Sequence, residues 1–477
     1  MILDKSKFDF IIILIGKLLQ VAVMIASIKI VTTILEPKDM GYIYIFTTVY
    51  TFFVLSFISP FGLYINRKTH KWHEEKTLLD KIGIYLIYLF TVSIFSIFIG
   101  YFLYNFGISN NIPKGLFLSL LFIFVFFMSL NQTILPLLNM LHYRLSFIVL
   151  MVLTSLGSVI FGYLLVTLFG SSAENWLIGM IASNIIFMIA GYIILTRKIQ
   201  ETFLGFSYNF KKITKVKIKS ILTFVVPLSV ATIFMWVQNS GYRILIEQNI
   251  SLEFLGFIGV GMAVSSQIAL TVESVVTQYL YPIFYKNITN TTLEIRTQAI
   301  NYLINKVIPI YLMLAIFLTC LSQYVVEILV DEKYYEVYIF TTFGIWVEFF
   351  RMVTSLLGNV SQSEMNTKGF MAAYILGSLI TICLVYFSSI SNNYKLYLPM
   401  ALIIGGMVTM TAMYFYMKKI IKFKINFKLI FLSFAISIPY GSIYFLNMDR
   451  SIFINLSIVA LFGLYFLGAI FLIYKKV

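Results

Sequence analysis

The sequence predicts an all-α polytopic membrane protein with about fourteen transmembrane helices. Three observations lead to this. The 477 residues are 60% hydrophobic and only 12% charged, whereas soluble proteins carry about 25% charged residues. The apolar residues recur along the whole chain in runs of about 20 residues, the length that crosses a bilayer core. The segments between the runs alternate between rich and poor in Lys and Arg.

The apolar runs give the helices in order. Candidate spans cover residues 10–35, 41–65, 82–106, 115–138, 147–169, 175–196, 220–247, 254–282, 302–327, 336–358, 369–389, 394–417, 428–446 and 452–474. The first run follows a basic N-terminus, as in a signal peptide, but it is too long and no small-residue cleavage motif follows it. We therefore predict that it is retained as the first span.

The loop charges set the orientation. With the N-terminus on the cytoplasmic side, 26 of the 35 Lys and Arg lie in cytoplasmic segments or at the adjoining ends of spans, 5 lie in outer segments or at the adjoining ends of spans, and 4 lie deeper within spans. A miscounted span would invert every later loop, yet the alternation persists to the end of the chain. The sequence therefore predicts that both termini are cytoplasmic. The same bias explains the net charge of +15, so we expect no nucleic-acid partner.

The loops also bear on the class of function. The longest, residues 197–219, is too short for a soluble domain, and no P-loop motif is present to bind ATP. His70, His73 and His142 have no acidic or thiol partner at ligand spacing. We expect no metal, no cofactor and no catalytic residues, which favours a transporter over an enzyme. A membrane enzyme of surface-glycan synthesis would need a catalytic constellation and a large outer loop.

A short repeat divides the chain. The stretch ILEPKDMGYIYIF (34–46) matches NISLEFLGFIGVG (249–261) at an offset of 215 residues, with Gly41 on Gly256 and an isoleucine two residues later in both. Each stretch links one span to the next, which makes spans 1–6 equivalent to spans 7–12. An even number of spans per unit gives a parallel repeat, related by an axis along the membrane normal.

The repeat predicts three segments. We expect an N-lobe in residues 1–219 with spans 1–6, a C-lobe in residues 220–417 with spans 7–12, and two further helices in residues 418–477. The two pseudo-symmetric six-helix lobes are expected to enclose a central cavity.

The linking turn also resembles a known family. LEPKDMGYIYIF resembles the L-G-P-x-x-x-G-x-Y segment of bacterial polysaccharide exporters of the MOP superfamily, the Wzx-type flippases of lipid-linked oligosaccharides. VVTQYLYPIFYKNI (275–288) is similar to the end of their eighth span. Glu36 stands where these proteins more often have glycine. Many members have twelve spans, so spans 13 and 14 depart from the commonest pattern.

This resemblance implies a function and a location. Wzx-type flippases use alternating access to move undecaprenyl-pyrophosphate-linked oligosaccharides to the outer leaflet, as for O-antigen or capsule. It implies a bacterial cytoplasmic (inner) membrane protein, a monomer, whose partners are the bilayer, this substrate and other glycan-assembly membrane proteins. A lipid II flippase and a MATE-type drug/cation antiporter remain alternatives. The antiporter would need a deep acidic residue in spans 1–6, which hold Lys17 and Lys29 there instead.

Ionisable and polar residues within spans are the candidate site residues, because such residues tend to face a bundle interior or a watery cavity. Predicted substrate contacts are Lys29, Arg243, Asn239, Gln238, Tyr242, Lys17, Arg351, Gln267 and Gln278, and predicted ion-coupling residues are Glu273 and Glu348. The offset of 215 places Lys29 next to Arg243 in the repeat. A guanidinium fork suits phosphate, and lysine supplies a point charge.

Each candidate also has a structural interpretation. Arg243 could extend to the interface or pair with Glu247, and the two span 1 lysines could extend to the interface as well. Glu348 and Arg351 could form a purely structural pair. The polar stripe of span 8, which contains Gln267 and Gln278, could serve helix–helix hydrogen bonding.

Overall fold

The computed structural model describes residues 2–109, 112–201, 205, 215–288, 291–364, 366, 368–445 and 451–476, and within them it is helical with no strands. The helices are α1 Ile2–Ile34, α2 Pro37–Glu74, α3 Leu78–Asn105, α4 Lys114–Met140, α5 Arg144–Phe169, α6 Ala173–Ile199, α7 Ile221–Asn249, α8 Leu252–Ile288, α9 Leu293–Leu329, α10 Tyr338–Ser363, α11 Lys368–Ser389, α12 Tyr394–Ile420, α13 Phe427–Phe445 and α14 Ile452–Lys476.

The helices agree with the predicted spans. In the described part of the chain, the thirteen helices α2 to α14 are long and apolar enough to cross a membrane, and the described apolar part of α1 is Leu19–Ile34. This confirms an all-α, multi-pass membrane protein. Helix α9 begins at Leu293, well before the predicted start at residue 302, because a Thr292 cap starts it in a polar stretch that hydropathy does not detect.

The helix ends repeat at the same offset as the sequence. Helix α1 ends at Ile34 and α2 begins at Pro37, while α7 ends at Asn249 and α8 begins at Leu252. The two helix ends are 215 residues apart in the sequence, and so are the two helix starts. The same pairs of helices also pack in the two halves: α1 on α5 as α7 on α11, α4 on α6 as α10 on α12, and α5 on α6 as α11 on α12. This pattern agrees with two related six-helix bundles.

The chain forms two compact units, which we call the N-terminal unit (Met1–Trp236) and the C-terminal unit (Val237–Val477). The boundary lies inside α7, at a π-helical turn that spans Val237–Gly241. The division into lobes at residue 219 and the separate C-terminal pair stay predictions.

The N-terminal unit has a neutral polar core. Apart from Asp80 near the start of α3 and Glu201 after the end of α6, whose side chain is 3% exposed, its described buried polar side chains are hydroxyls, amides and aromatic rings. Asn131 on α4 donates its amide to the Asn184 carbonyl on α6 at 3.1 Å. A second π turn, Val54–Ile58, lies in α2 just before Pro60, which has no N–H to donate.

The C-terminal unit attaches α13 and α14 to α9. At one end of α9, Asn455 of α14 donates to the buried Glu327 carboxylate at 2.8 Å. At the other end, Asn301 and Asn305 of α9 hydrogen-bond the backbone of the linker between α12 and α13. Helices α13 and α14 are therefore an integral part of this unit.

Candidate functional site

A network of three charged side chains lies inside the C-terminal unit. Arg351 of α10 donates from Nη2 to Glu273 Oε2 of α8 at 2.8 Å, and from Nε to Glu348 Oε2, one turn earlier on α10, at 2.5 Å. Their side chains are 21%, 15% and 13% exposed, respectively. The sequence spacing predicted the pair within α10, and packing adds Glu273, which is 78 residues away.

The charges in this network do not cancel. With both carboxylates ionised, one guanidinium and two carboxylates carry a net charge of −1. Burying charges costs several kcal/mol per ion, and only close, hydrogen-bonded geometry offsets that cost. The short contacts meet this requirement for Arg351. The network therefore holds one more carboxylate than its single guanidinium can balance.

A second polar contact joins the same two helices two turns further along each. Asn359 of α10 donates from Nδ2 to Tyr281 Oη of α8 at 2.9 Å, and Asn359 is almost fully buried. Both residues lie eight positions after a member of the charged network, so the two contacts share one face of each helix. Together they fix the register of α8 against α10.

The π turn of α7 places Gln238 and Asn239 next to this network. Gln238 donates from Nε2 to Thr409 Oγ1 at 2.5 Å and to the Gly405 carbonyl at 3.3 Å, both on α12. Helix α11 packs tightly against α12 at the same position, since a Cβ on Gly405 would lie 2.0 Å from Thr381 Oγ1. A π turn adds a residue to the helical turn and is frequent at functional sites.

These residues line a small cavity within the C-terminal unit. It measures about 10 Å³ and is lined by Gln238, Asn239, Arg351, Thr354, Tyr374, Gly406 and Thr409. Such a volume is near the minimum that holds one water molecule, and it is too small for a sugar ring. In this conformation, the cavity gives the Arg351 guanidinium a polar neighbourhood of water size.

The predicted site residues of α7 divide into two groups. Gln238 and Asn239 lie at the cavity, whereas Tyr242 and Arg243 lie on the last segment of α7, Tyr242–Asn249. Tyr242 is buried and Arg243 is half-buried, with its guanidinium carbon 5.9 Å from the Tyr242 ring centre.

The α1 lysines lie in the N-terminal unit. Lys29 is half-buried, and its carbonyl accepts hydrogen bonds from Thr32 and Thr33. The Lys17 side chain lies outside the described residues. The predicted pairing of Lys29 with Arg243 involves both units and stays a prediction.

The polar stripe of α8 points away from the charged network. Gln267 is half-buried, and the exposed Gln278 donates to Ser274 Oγ at 3.2 Å. At 100° per residue, Glu273 lies roughly 130° around the helix from the centre of this stripe. The structure therefore separates the two predicted contacts of α8 from its predicted coupling residue.

Sequence reasoning missed several residues around the network. These are Tyr281, Thr354, Asn359, Tyr374, Gly406 and Thr409. Asn359 carried the clearest signal, since it lies two turns from Arg351 on the same face of an otherwise apolar segment. Thr409 gave no signal, because threonine is common in membrane helices and usually bonds its own backbone.

The fold was compared with those of known proteins. No protein-family model matches the sequence, and no curated protein matches it. The structure is similar to that of the lipid II flippase MurJ in an inward closed conformation. The TM-score is 0.68 and 16% of residues are identical, over 98% of this chain and 99% of that chain.

Transporters of the MATE family give further matches. An inward-facing multidrug resistance MATE transporter of the MOP superfamily has a TM-score of 0.57 with 12% identity, over 85% of this chain and 94% of that chain. An outward-facing one has a TM-score of 0.54 with 12% identity, over 86% and 95%.

This chain shares the fold of these solved structures. At these identities the likeness establishes the fold and not a Wzx-type subfamily. The similar structures are those of a flippase and of transporters. The MOP fold also accommodates all fourteen helices of this chain, since a match over 98% of the residues leaves too few for an unmatched span.

Proposed function

We propose that this protein is a flippase that moves an undecaprenyl-pyrophosphate-linked oligosaccharide from the cytoplasmic to the outer leaflet by alternating access. The observation that carries the proposal is the fold match to a lipid II flippase over 98% of the chain, compared with 85% and 86% for the two MATE transporters. The match that covers nearly the whole chain is thus to a flippase of a lipid-linked substrate.

The chemistry of the candidate residues supports an anionic cargo. Arg243 is a half-buried guanidinium on α7, and Lys29 is a half-buried ammonium on α1. We assign both to the pyrophosphate, because a guanidinium group offers phosphate a bidentate fork and an ammonium group offers it a point charge. Asn239, Tyr242 and Gln238 are proposed to contact the sugar. Lys17, Gln267 and Gln278 are retained as further proposed substrate contacts.

Arg351 fits a different part of the cycle. Its Nε and Nη2 atoms both donate to carboxylates, so it would bind a substrate phosphate only after one of these hydrogen bonds breaks. Protonating Glu273 would remove the charge that joins α8 to α10 and leave Arg351 with Glu348 alone. We propose that Glu273 and Glu348 bind and release the coupling proton. We also propose that Arg351 alternates between binding a carboxylate and binding the substrate.

Lipid II is the second candidate substrate. The full-length fold match to the lipid II flippase MurJ favours it specifically. Under either candidate, we propose that both termini lie on the cytoplasmic side of a bacterial inner membrane, as the distribution of basic residues among the loops predicts. The protein would act as a monomer beside other glycan-assembly membrane proteins.

A leaflet-accessibility assay tests the proposal. Purified protein in proteoliposomes is given fluorescent undecaprenyl-pyrophosphate oligosaccharide, lipid II or a fluorescent drug cation, and exposure in the opposite leaflet is measured. We expect movement of a lipid-linked sugar and a loss of at least about tenfold in Arg243→Gln, since a charge-assisted phosphate contact contributes 1.5 kcal/mol or more.

Arg67→Gln serves as the matched control, because it removes an exposed arginine at the end of α2. Its activity should equal that of the wild type. Transport of the drug cation alone, or no movement of either lipid-linked sugar by folded protein, would contradict the proposal.

A further inference from the structure

The end of α12, the linker that follows it and the start of α13 together carry an unusual concentration of positive charge. Within the eleven residues 418–428 there are five lysines: Lys418, Lys419, Lys422, Lys424 and Lys428. All five are exposed. No Asp or Glu occurs between Glu364 and Asp449, so no acidic residue nearby in sequence offsets this charge.

The linker is extended and docked onto the protein. Its apolar side chains, Ile421 and Phe423, are each 1% exposed, while Lys422 and Lys424 between and after them face outward. This alternation is what an extended backbone produces, with successive side chains on opposite faces. Phe423 packs edge-on against Tyr414 of α12, with ring centres 5.6 Å apart.

Two asparagines of α9 fix the backbone of the linker. The Lys424 N–H donates to Asn301 Oδ1 at 2.7 Å, and the Lys424 carbonyl accepts from Asn305 Nδ2 at 3.1 Å. Asn305 Oδ1 also accepts from the Asn426 N–H at 2.7 Å. Because Asn301 and Asn305 are four residues apart, both amides face the linker from one side of α9. The two lysines of the linker, Lys422 and Lys424, are therefore presented on a fixed backbone.

The position of the linker determines what it can meet. It connects the end of one membrane helix to the start of the next, so its lysines lie at the membrane surface. Phe427 and Phe431, 73% and 74% exposed, follow at the beginning of α13. A cluster of four to eight lysines directly beside a membrane helix attracts anionic lipid headgroups. Exposed aromatic rings next to it suit the apolar side of the interface.

We propose that residues 418–428 form a binding site for phosphate groups of membrane lipids, built on α9 by Asn301 and Asn305. Lysine ammonium groups bind phosphate as point charges, and Lys418, which hydrogen-bonds Tyr414 Oη at 2.7 Å, is already oriented. The phosphate can belong to an anionic phospholipid or to a pyrophosphate-linked lipid. The inference does not rest on the proposed transport function.

Lipid binding to the purified full-length protein tests this site. Native mass spectrometry in detergent compares phosphatidylglycerol with phosphatidylcholine for the wild type, for a variant with all five lysines changed to Gln, and for one with all five changed to Arg. We expect the wild type and the Arg variant to prefer phosphatidylglycerol by about tenfold, and the Gln variant to lose this preference. Unchanged thermal unfolding without lipid verifies that the variants fold.

A second variant separates fixed presentation from charge alone. Asn301→Ala with Asn305→Ala keeps every lysine but releases the linker, and it should weaken the preference by about threefold, since the segment must then be ordered on binding. Competition by inorganic pyrophosphate identifies the source: displacement assigns the site to a pyrophosphate-linked lipid, and retention assigns it to bulk phospholipid. Equal binding of both phospholipids by the wild type, or full preference in the Gln variant, would overturn the proposal.

Discussion

The interiors of the two units differ in charge. In the N-terminal unit, the described buried polar groups of mid-helix are hydroxyls, amides and aromatic rings, as in the contact between Asn131 and Asn184. In the C-terminal unit, Arg351 joins Glu273 and Glu348 at the interface of α8 and α10. The helix ends and helix pairs repeat, but the charged network occurs in one half.

This difference suggests a division of roles. Neutral hydrogen bonds hold helices together without responding to protons or membrane potential, since they carry no net charge. A network of two carboxylates and one guanidinium responds to both. We infer that the repeated architecture supplies the scaffold and that α8 and α10 of the C-terminal unit supply the coupling element.

Removing the central cation should have the largest effect on stability. Arg351→Met leaves Glu273 and Glu348 buried without their shared partner. Breaking a buried ion pair in this way costs about 3–5 kcal/mol. Chemical unfolding in bicelles should show a loss of this size, and a variant as stable as the wild type would show that water already solvates the carboxylates.

Neutralising the whole network should restore most of that loss. The variant Arg351→Met with Glu273→Gln and Glu348→Gln gives the interface of α8 and α10 neutral side chains, like those in the middle of the N-terminal helices. Replacing buried ionic groups by neutral ones is often neutral or stabilising. We expect stability within about 1 kcal/mol of the wild type, with flipping no longer coupled to a proton gradient. Persistent coupling in proteoliposomes would assign that role to other residues.

A matched change in the N-terminal unit should have a much smaller effect. Asn131→Leu removes the donor to the Asn184 carbonyl. Hydrogen bonds between membrane helices contribute about 0.6 kcal/mol on average, and at most about 1.7. The same unfolding assay should give a loss in this range, and one as large as that of Arg351→Met would remove the contrast between the units.

The α8 stripe should matter least for stability. Gln278→Ala removes an exposed side chain whose described hydrogen bond is to Ser274 in its own helix. Such surface changes stay within about 0.5 kcal/mol. A larger loss in the unfolding assay would indicate a packing role for Gln278.

The sequence predicted the helices well, because membrane spans are set by hydropathy over long windows. The turn at Gly41 and Gly256 also predicted the offset of 215 that the helix ends show. The charged network was only half predictable. Spacing suggests the pair Glu348 and Arg351, but Glu273 joins them through the packing of two helices far apart in sequence.

Other features were not readable from the sequence. The π turn that directs Gln238 to α12 has no composition signal. Lys306 lies near the start of the span predicted at 302–327, and only the packing shows that it is buried: it is 5% exposed on α9 and donates to Tyr302 Oη at 2.6 Å.

A flipping assay of the Glu273→Gln variant tests most directly whether the charged network couples transport to protons. The substitution keeps the shape of the side chain and removes the charge that Arg351 binds on α8. The measurement is movement of a fluorescent lipid-linked oligosaccharide in proteoliposomes with and without a proton gradient, on protein whose thermal unfolding matches the wild type. Our account predicts that transport loses its response to the gradient. Wild-type flipping with an undiminished response would contradict it.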